Sequence, residues 1–214
     1  MTGTLRTEPR LVTLEGGEGA GKSTVLAALR TLLEEAGERV VCTREPGGTP
    51  LAERIRALLL DPSHEAPAPA TELLLMFAAR AQHVQATIAP ALAQGTWVLS
   101  DRFTDASHAY QGAARNGDRG LIGLLEERVV GISPGLTLLL DVPVEVGLAR
   151  ARERGGVDRI EAEDTAFFER VRAGYRERAA AEPGRFRVID ASRPADEVAA
   201  AAARHLDDYR RSLA

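Results

Sequence analysis

One segment constrains the fold more than any other, namely Gly16-Gly17-Glu18-Gly19-Ala20-Gly21-Lys22-Ser23, which follows the pattern G-x-x-x-x-G-K-[ST]. An apolar run that favours a strand precedes it at residues 11–14, and leucine and valine recur at helical spacing over residues 23–36. A strand, a glycine-rich turn and a helix in this order point backbone N–H groups and a helix N-terminus at phosphate. The segment therefore predicts a nucleotide-binding phosphate loop (P-loop).

Lys22 is the only lysine in the chain, since every other basic residue is arginine. In such a loop the flexible ammonium reaches the β- and γ-phosphates, and the Ser23 hydroxyl can bind Mg²⁺. The rigid guanidinium fork of an arginine would fit poorly in the same place. This single lysine supports the prediction of a P-loop.

The composition limits the remaining possibilities. At 214 residues and a net charge of −4, the chain is long enough for one sizeable core and lacks the basic balance of a general nucleic-acid binder. We expect a flexible arm over residues 1–9 and a single domain over residues 10–214. Cys42 is the only cysteine, and the chain has neither a long apolar span nor a signal-peptide pattern, so we expect no membrane partner and a cytoplasmic location.

Apolar runs alternate with helical patterns along the chain. The runs that predict strands span residues 11–14, 39–43, 96–100, 136–140 and 186–189. Strands that are apolar throughout favour a parallel sheet covered by helices on both faces. We therefore predict an α/β protein of the P-loop NTPase fold, with a five-stranded parallel sheet and a short mobile lid over about residues 150–163. In such sheets ligands bind at the carboxyl ends of the strands.

Polar residues follow two of the predicted strands. Asp101 closes the third strand, where an acid would face Mg²⁺ and phosphates, although it could instead cap the next helix. Arg102 beside it favours a phosphate partner. Arg44 lies in the turn Thr43-Arg44-Glu45-Pro46-Gly47-Gly48-Thr49 after the second strand, where it could hold an anion or lie on the surface of a tight turn.

Two helical patterns carry further candidates. Phe77 and Arg80 lie three residues apart, so a ring could stack on a base while the guanidinium donates to its edge, or the pair could pack in the core. Several arginines surround the glycines at 155–156, and they could clamp a transferring phosphate or form a solvated face. These arginines are Arg150, Arg152, Arg154 and Arg159.

Taken together, these motifs resemble thymidylate kinase, the P-loop kinase family that phosphorylates dTMP with ATP. The matching pieces occur in the order and spacing of that family, from about Leu11 to the last helix. They are Glu15-Gly16-Gly17-Glu18-Gly19-Ala20-Gly21-Lys22-Ser23-Thr24, the Thr43 to Thr49 turn, Phe77-Ala78-Ala79-Arg80, Asp101-Arg102-Phe103 and Ala109-Tyr110-Gln111-Gly112.

The resemblance implies roles for individual residues. ATP would be bound by Gly16, Gly17, Glu18, Gly19, Ala20, Gly21, Lys22, Ser23, Thr24 and Arg150. dTMP would be bound by Arg44, Phe77, Arg80, Arg102, Ser107, Tyr110 and Gln111. The catalytic residues would be Lys22, Glu18, Asp101, Arg102 and Arg154, with Mg²⁺ held by Ser23 and Asp101.

The position after Glu18 indicates a subtype. One branch of the family carries an arginine there, whereas this chain has Gly19. The resemblance is then to the largely bacterial branch, in which the lid supplies the catalytic arginine. We assign that role to Arg154, with Arg152 or Arg159 as alternatives.

The resemblance also implies a homodimer that packs through helices between about residues 50 and 130. Two other functions remain open at this point. The chain could be a P-loop kinase for another nucleotide or small metabolite, or a regulator that binds ATP without phosphorylating an acceptor.

Overall fold

The structure is a computed structural model that describes residues 5–63, 65–155 and 158–213, except the side chain of Arg154. Five strands form one sheet in the order β2-β3-β1-β4-β5, and every neighbouring pair is parallel. The prediction of a five-stranded parallel sheet is confirmed. The strands are β1 (Arg6–Glu15), β2 (Val40–Arg44), β3 (Trp97–Asp101), β4 (Ile132–Asp141) and β5 (Phe186–Asp190).

The first strand begins earlier than the apolar pattern indicates. Arg6, Thr7 and Glu8 pair with residues 132–134 of β4, and the register shifts before Val12. The expectation of a flexible arm is therefore wrong for residues 6–9. Backbone pairing at the edge of the core does not require apolar side chains, so this part of the strand leaves no hydrophobic signal.

Helices fill the connections between the strands. They are α1 (Lys22–Glu35), α2 (Pro50–Leu60), α3 (Pro69–His83), α4 (Ala89–Ala93), α5 (Thr104–Ser107), α6 (Arg119–Leu125), α7 (Val144–Arg154), α8 (Thr165–Ala181) and α9 (Ala195–Ser212). Wider π-helical turns extend α3, α5 and α6 over Val84–Ile88, His108–Ala114 and Glu126–Val130. None of the helices in the described ranges is both long enough and apolar enough to cross a bilayer.

The helical stretch between β2 and β3 is interrupted before Pro90. α3 ends at His83, a π-helical turn follows, and Pro90 lies in the first turn of α4. In a first turn, proline loses no intrahelical hydrogen bond. The start of a new helix therefore accommodates this proline.

Helices cover both faces of the sheet. On one face α1 and α9 pack against the sheet, with Leu29 and Leu206 fully buried beside Leu14 and Leu138 of the central strands. On the other face α3 packs over Leu11 and Val98 of the central strands. Burying one such leucine contributes about 2 kcal/mol, so the two layers fix the central strands between them.

The carboxyl ends of the strands meet at one edge of the sheet. Glu15, Arg44 and Asp101 are the last residues of β1, β2 and β3, and the register places Leu14 and Arg44 on either side of Asp101. The polar residues that the sequence analysis singled out after the strands are therefore brought together.

Candidate active site

The loop from Gly16 to Gly21 joins β1 to α1. Gly19 and Gly21 adopt positive φ angles of 67° and 86°, which favour glycine. Gly19 also lies against the backbone carbonyl of Gly147 in α7, so a side chain at position 19 would clash with it. This loop has no room for an arginine at the position where the other branch of the family carries one.

Lys22 opens α1 and bends back over the loop. Its side chain is 9% exposed, and Nζ donates to the carbonyl oxygens of Gly16 and Gly17, each at 3.2 Å. Burial, and secondly the nearby Arg102, lower the pKa of the ammonium. Gly21 has no side chain to cap α1, so the first N–H groups of the helix remain available to an anion.

Arg102 follows β3 with a φ of 71°, an uncommon value for a residue with a Cβ, and its side chain turns toward the loop. Nη2 donates to Glu18 Oε1 at 2.7 Å, and Nη1 donates to Gly16 O at 3.1 Å and to the Tyr175 hydroxyl at 3.0 Å. The guanidinium also stacks on the Tyr110 ring, 4.8 Å from its centroid. These contacts hold the positively charged guanidinium of Arg102 beside the P-loop.

Asp101 has an atom that is suited to a metal or water ligand. Its Oδ1 is buried and has no hydrogen-bond partner among the residues that the structure describes. Such an oxygen is costly to bury unless something binds it. Oxygen ligands are those that Mg²⁺ prefers, and the Ser23 hydroxyl in the first turn of α1 is of the same kind.

A cavity of about 210 Å³ opens beside Lys22 and Asp101 and is called the main cavity here because most of the predicted dTMP-binding residues line it. The cavity contains predicted site residues from five separate stretches of the chain. Its walls include Glu18, Lys22, Arg44, Arg56, Met76, Arg80, Asp101, Arg102, Ser107, Tyr110, Gln111 and Asp158.

Three arginines that line the main cavity, namely Arg44, Arg56 and Arg102, lie close enough for their charges to interact and are called its basic end here. Arg44 pairs with Glu53 at 2.9 Å, and Arg56 donates to the carbonyl of Pro46 at 3.0 Å. Burial, and then the charge of Arg44, lower the pKa of Arg56. No sequence motif marks Arg56, because it lies within α2 after the Arg44 turn.

Arg80 also lines the main cavity and is fixed by three partners. Nε donates to Glu45 at 2.5 Å, Nη1 donates to the Ser107 hydroxyl at 3.0 Å, and Nη2 donates to the carbonyl of Phe103 at 2.9 Å. Glu45 also contacts His83 Nδ1 at 3.0 Å. The guanidinium is therefore rigidly placed.

Phe77 is buried against Arg80. Its ring is 2% exposed and packs under the Arg80 guanidinium, 4.8 Å from ring centroid to Cζ, whereas Met76 lines the main cavity. Consecutive helical residues point about 100° apart, so the wall that Met76 forms lies to one side of Phe77. In this structure the Phe77 ring has the core-packing arrangement, and its stacking on a bound base stays a prediction.

A second cavity of about 410 Å³ also borders the P-loop. Gly19, Gly21, Thr24 and Arg150 line it, together with the loop that precedes α9. Arg150 Nη1 donates to the carbonyl of Ala191 at 2.7 Å. The predicted ATP-binding residues thus border two cavities, because Glu18 and Lys22 line the main cavity instead.

The lid arginines do not share one environment. Arg159 donates to Glu72 at 2.6 Å and to the carbonyl of Leu59 at 2.7 Å, so its guanidinium joins the lid segment to α2 and α3. Arg152 is exposed. The side chain of Arg154, the predicted catalytic residue, lies outside the described part of the structure.

Two buried groups behind the P-loop are further residues that the sequence analysis missed. Glu15 Oε1 accepts from the backbone N–H of Phe103 at 2.7 Å, and Oε2 accepts from the Tyr175 hydroxyl at 2.8 Å. Burial, and then the charge of Asp105, raise the pKa of Glu15 to about 8. Glu15 had the same sequence signal as Asp101, an acid at the end of an apolar strand, whereas Tyr175 lies in mid-helix and had none.

Comparison with known proteins assigns the family. The thymidylate kinase family model matches residues 14–202. The chain is 56% identical to the thymidylate kinase of Alcanivorax borkumensis, over 94% of this chain and 97% of that protein. It is 60% identical to that of Pseudomonas entomophila, over 86% and 88% of the two chains. The crystal structure of thymidylate kinase from Ehrlichia chaffeensis superposes with a TM-score of 0.75 at 32% identity, covering 94% of this chain and 99% of that one. The chain belongs to the thymidylate kinase family.

Proposed function

We propose that this protein transfers the γ-phosphoryl group of ATP to dTMP, which gives ADP and dTDP. The main cavity is the observation that carries this proposal, because it joins the P-loop lysine and a cluster of arginines to a polar wall suited to a base. ATP would lie on the side of the second cavity, with its triphosphate wrapped by the loop. dTMP would fill the main cavity from the other side.

The acceptor phosphate would be held at the basic end of the main cavity. Arg44, Arg56 and Arg102 all line the main cavity, and, after burial, the charges of Arg44 and Arg102 both lower the pKa of Arg56, so the three guanidinium groups lie near one another. Planar guanidinium groups bind phosphate oxygens in pairs of hydrogen bonds. This arrangement aims a phosphate oxygen of dTMP at the γ-phosphorus of ATP.

The base would lie against Met76, with Arg80 donating to its edge. Ser107, Tyr110 and Gln111 would complete the base and sugar pocket. The Tyr110 hydroxyl donates to Glu18 at 2.9 Å, which fixes the ring next to the P-loop. A fixed ring beside the sugar would exclude a 2′-hydroxyl and so favour deoxyribonucleotides.

The reaction needs no covalent enzyme intermediate. A phosphate oxygen of dTMP forms a bond to the γ-phosphorus in line, the bond to the bridging oxygen of ADP breaks, and ADP leaves. Lys22 and Arg102 stabilise the charge on the transferring group, and closure of the lid excludes water that would compete as acceptor. Arg154 would approach the same group from the lid.

The residues present fit a magnesium ion. Asp101, with its unpartnered buried oxygen, and Ser23, in the first turn of α1, would hold the ion or its bound water. When bound, Mg²⁺ supplies charge neutralisation at the β- and γ-phosphates of ATP.

Large exposed apolar side chains support a homodimer through the predicted helices. Leu51 and Leu58 of α2, Leu74 of α3, Leu124 of α6 and Val129 are all well exposed and fall between residues 50 and 130. We propose that a second copy of the chain covers them, in a cytoplasmic enzyme. Sedimentation equilibrium of the protein and of a Leu74→Glu variant would give the oligomeric state directly.

The function is tested by ADP release with ATP, Mg²⁺ and each of dTMP, dUMP, CMP, GMP and AMP. We expect strong turnover with dTMP. Turnover with a different acceptor alone would keep the P-loop assignment and refute the base pocket. ATP binding without turnover on any acceptor would favour the regulatory alternative.

A further inference from the structure

Glu72 is a buried carboxylate behind the wall of the main cavity. It lies on α3, is 1% exposed, and accepts hydrogen bonds from three side chains, two at the end of the π-helical turn that follows α5 and one in the lid segment. The donors are Gln111 Nε2 at 2.9 Å, Arg115 Nε at 3.0 Å and Arg159 Nη2 at 2.6 Å. Of these donors, Gln111 itself lines the cavity.

The charge state of Glu72 follows from its partners. Burial alone would raise its pKa, but the hydrogen bonds from Gln111, Arg115 and Arg159 outweigh burial and hold the pKa below its ordinary value. An ionised carboxylate can only accept hydrogen bonds. Glu72 therefore requires the Gln111 amide to turn its NH₂ group away from the ligand.

The orientation of the Gln111 NH₂ group also fixes the position of its carbonyl oxygen, Oε1. Among the residues that the structure describes, none donates to Gln111 Oε1, so the carbonyl is the group left to meet a ligand in the cavity. Arg80 lines the same cavity, and its guanidinium can only donate. The cavity wall thus presents one hydrogen-bond acceptor, the Gln111 carbonyl, and one group of donors, the Arg80 guanidinium, in a fixed arrangement.

This arrangement discriminates between pyrimidines. Thymine offers a donor at N3–H and an acceptor at O4, which complement the Gln111 carbonyl and the Arg80 guanidinium. Cytosine offers an acceptor at N3 and a donor at its 4-amino group. The Gln111 carbonyl would then face another acceptor, and the Arg80 guanidinium would face another donor. A site built to hydrogen-bond one pattern rejects the reverse pattern, because its buried polar groups are left unpaired.

We propose that Glu72 is a positioning residue that sets selectivity for thymine over cytosine by locking the Gln111 amide. The proposal rests on the proposed function, since it takes the main cavity as the dTMP site. Glu72 touches no substrate and acts through Gln111. Its bond to Arg159 also anchors the lid segment, but loss of that anchor would affect all acceptors alike.

The test is the ratio of kcat/KM for dTMP to kcat/KM for dCMP in a Glu72→Gln variant. A neutral amide at position 72 can donate as well as accept, so the Gln111 amide becomes free to flip. We expect the ratio to fall by about 10- to 100-fold. An equal loss for both nucleotides would overturn the proposal and leave Glu72 as a lid anchor.

Glu163→Gln is the matched control. Glu163 pairs with Arg115 at 2.8 Å, so it belongs to the same charge network, but it makes no contact with Gln111. The ratio should stay unchanged in this variant. A Gln111→Leu variant tests the base pocket separately from the role of Glu72, because an unchanged ratio in this variant would refute the assignment of the base pocket itself.

A measurement on the unmodified chain covers the case in which Glu72→Gln does not fold. The side-chain amide of Gln111 is followed by NMR during a titration with dTMP, its resonances identified by their loss in Gln111→Leu. Binding should shift the carbonyl ¹³Cδ resonance, while the NH₂ protons keep the shift set by Glu72. A large shift of the NH₂ protons with a static carbonyl would contradict the proposal.

Discussion

Removal of one buried hydroxyl, in a Tyr175→Phe variant, should lower both stability and affinity for dTMP. Tyr175 is 1% exposed, and its hydroxyl donates to Glu15 at 2.8 Å while accepting from Arg102 at 3.0 Å. The ring remains in phenylalanine, so the substitution leaves no large cavity. Its effect therefore reports on the two hydrogen bonds.

The expected loss of stability follows from the hydrogen-bond acceptor that the substitution leaves unpaired. A buried acceptor that loses its donor costs about 1–3 kcal/mol, and we expect about 2 kcal/mol for Glu15 Oε2. In a protein of this size 1 kcal/mol shifts Tm by about 2–4 °C, so Tm should fall by about 4–8 °C. Arg102 keeps its bonds to Glu18 and Gly16 but loses one restraint, so KM for dTMP should rise by about 10-fold, or about 1.4 kcal/mol.

Thermal unfolding by circular dichroism and steady-state kinetics measure the two effects. Tyr209→Phe is the control, because its hydroxyl donates to the carbonyl of Pro9 at 2.9 Å in an exposed place where water can replace it, and Tyr209 does not line the main cavity. We expect KM for ATP to remain unchanged in Tyr175→Phe. A Tm within about 1 °C of the parent protein, together with an unchanged KM for dTMP, would refute the idea that this hydroxyl holds Glu15 and Arg102.

Three further outcomes are expected. Arg154→Ala should lower kcat by about 10³-fold with a much smaller rise in KM for dTMP, and an unchanged kcat in the ADP-release assay would remove Arg154 from catalysis. Glu15 has a pKa of about 8 in the folded protein against an ordinary 4.5, so in this pH range the folded protein keeps a proton that the unfolded chain releases. The contribution of Glu15 to the free energy of unfolding therefore falls as pH rises from about 4.5 to 8. Glu15→Gln should remove that slope from a series of Tm measurements between pH 5 and 8, and identical slopes would contradict the assignment. Asp105 is fully buried between Arg178 at 2.9 Å and Arg185 at 2.7 Å, so Asp105→Asn should cost about 3–5 kcal/mol in urea denaturation, and a loss below 1 kcal/mol would count against it.

Local patterns predicted the parts of the fold that depend on neighbouring residues. The strand, loop and helix around Lys22 are encoded by a continuous segment, and the apolar runs located all five strands. The same patterns gave too short a first strand, because Arg6 and Thr7 pair with β4 without apolar side chains. Helical spacing placed Phe77 and Arg80 on one face, but spacing does not say which of two adjacent residues faces a cavity. Met76 faces it in this structure.

The candidate site divides in the same way. The sequence by itself determined the P-loop and the acids and arginines at the strand ends, since parallel strands bring their carboxyl ends to one edge whatever the detailed packing. Only the tertiary structure decided which buried groups hold those residues in place. Glu15 and Tyr175 are 160 positions apart, and Glu72 meets Gln111 and Arg159 across 39 and 87 positions. Such pairs form when whole helix faces pack against the sheet, so no local spacing or composition records them.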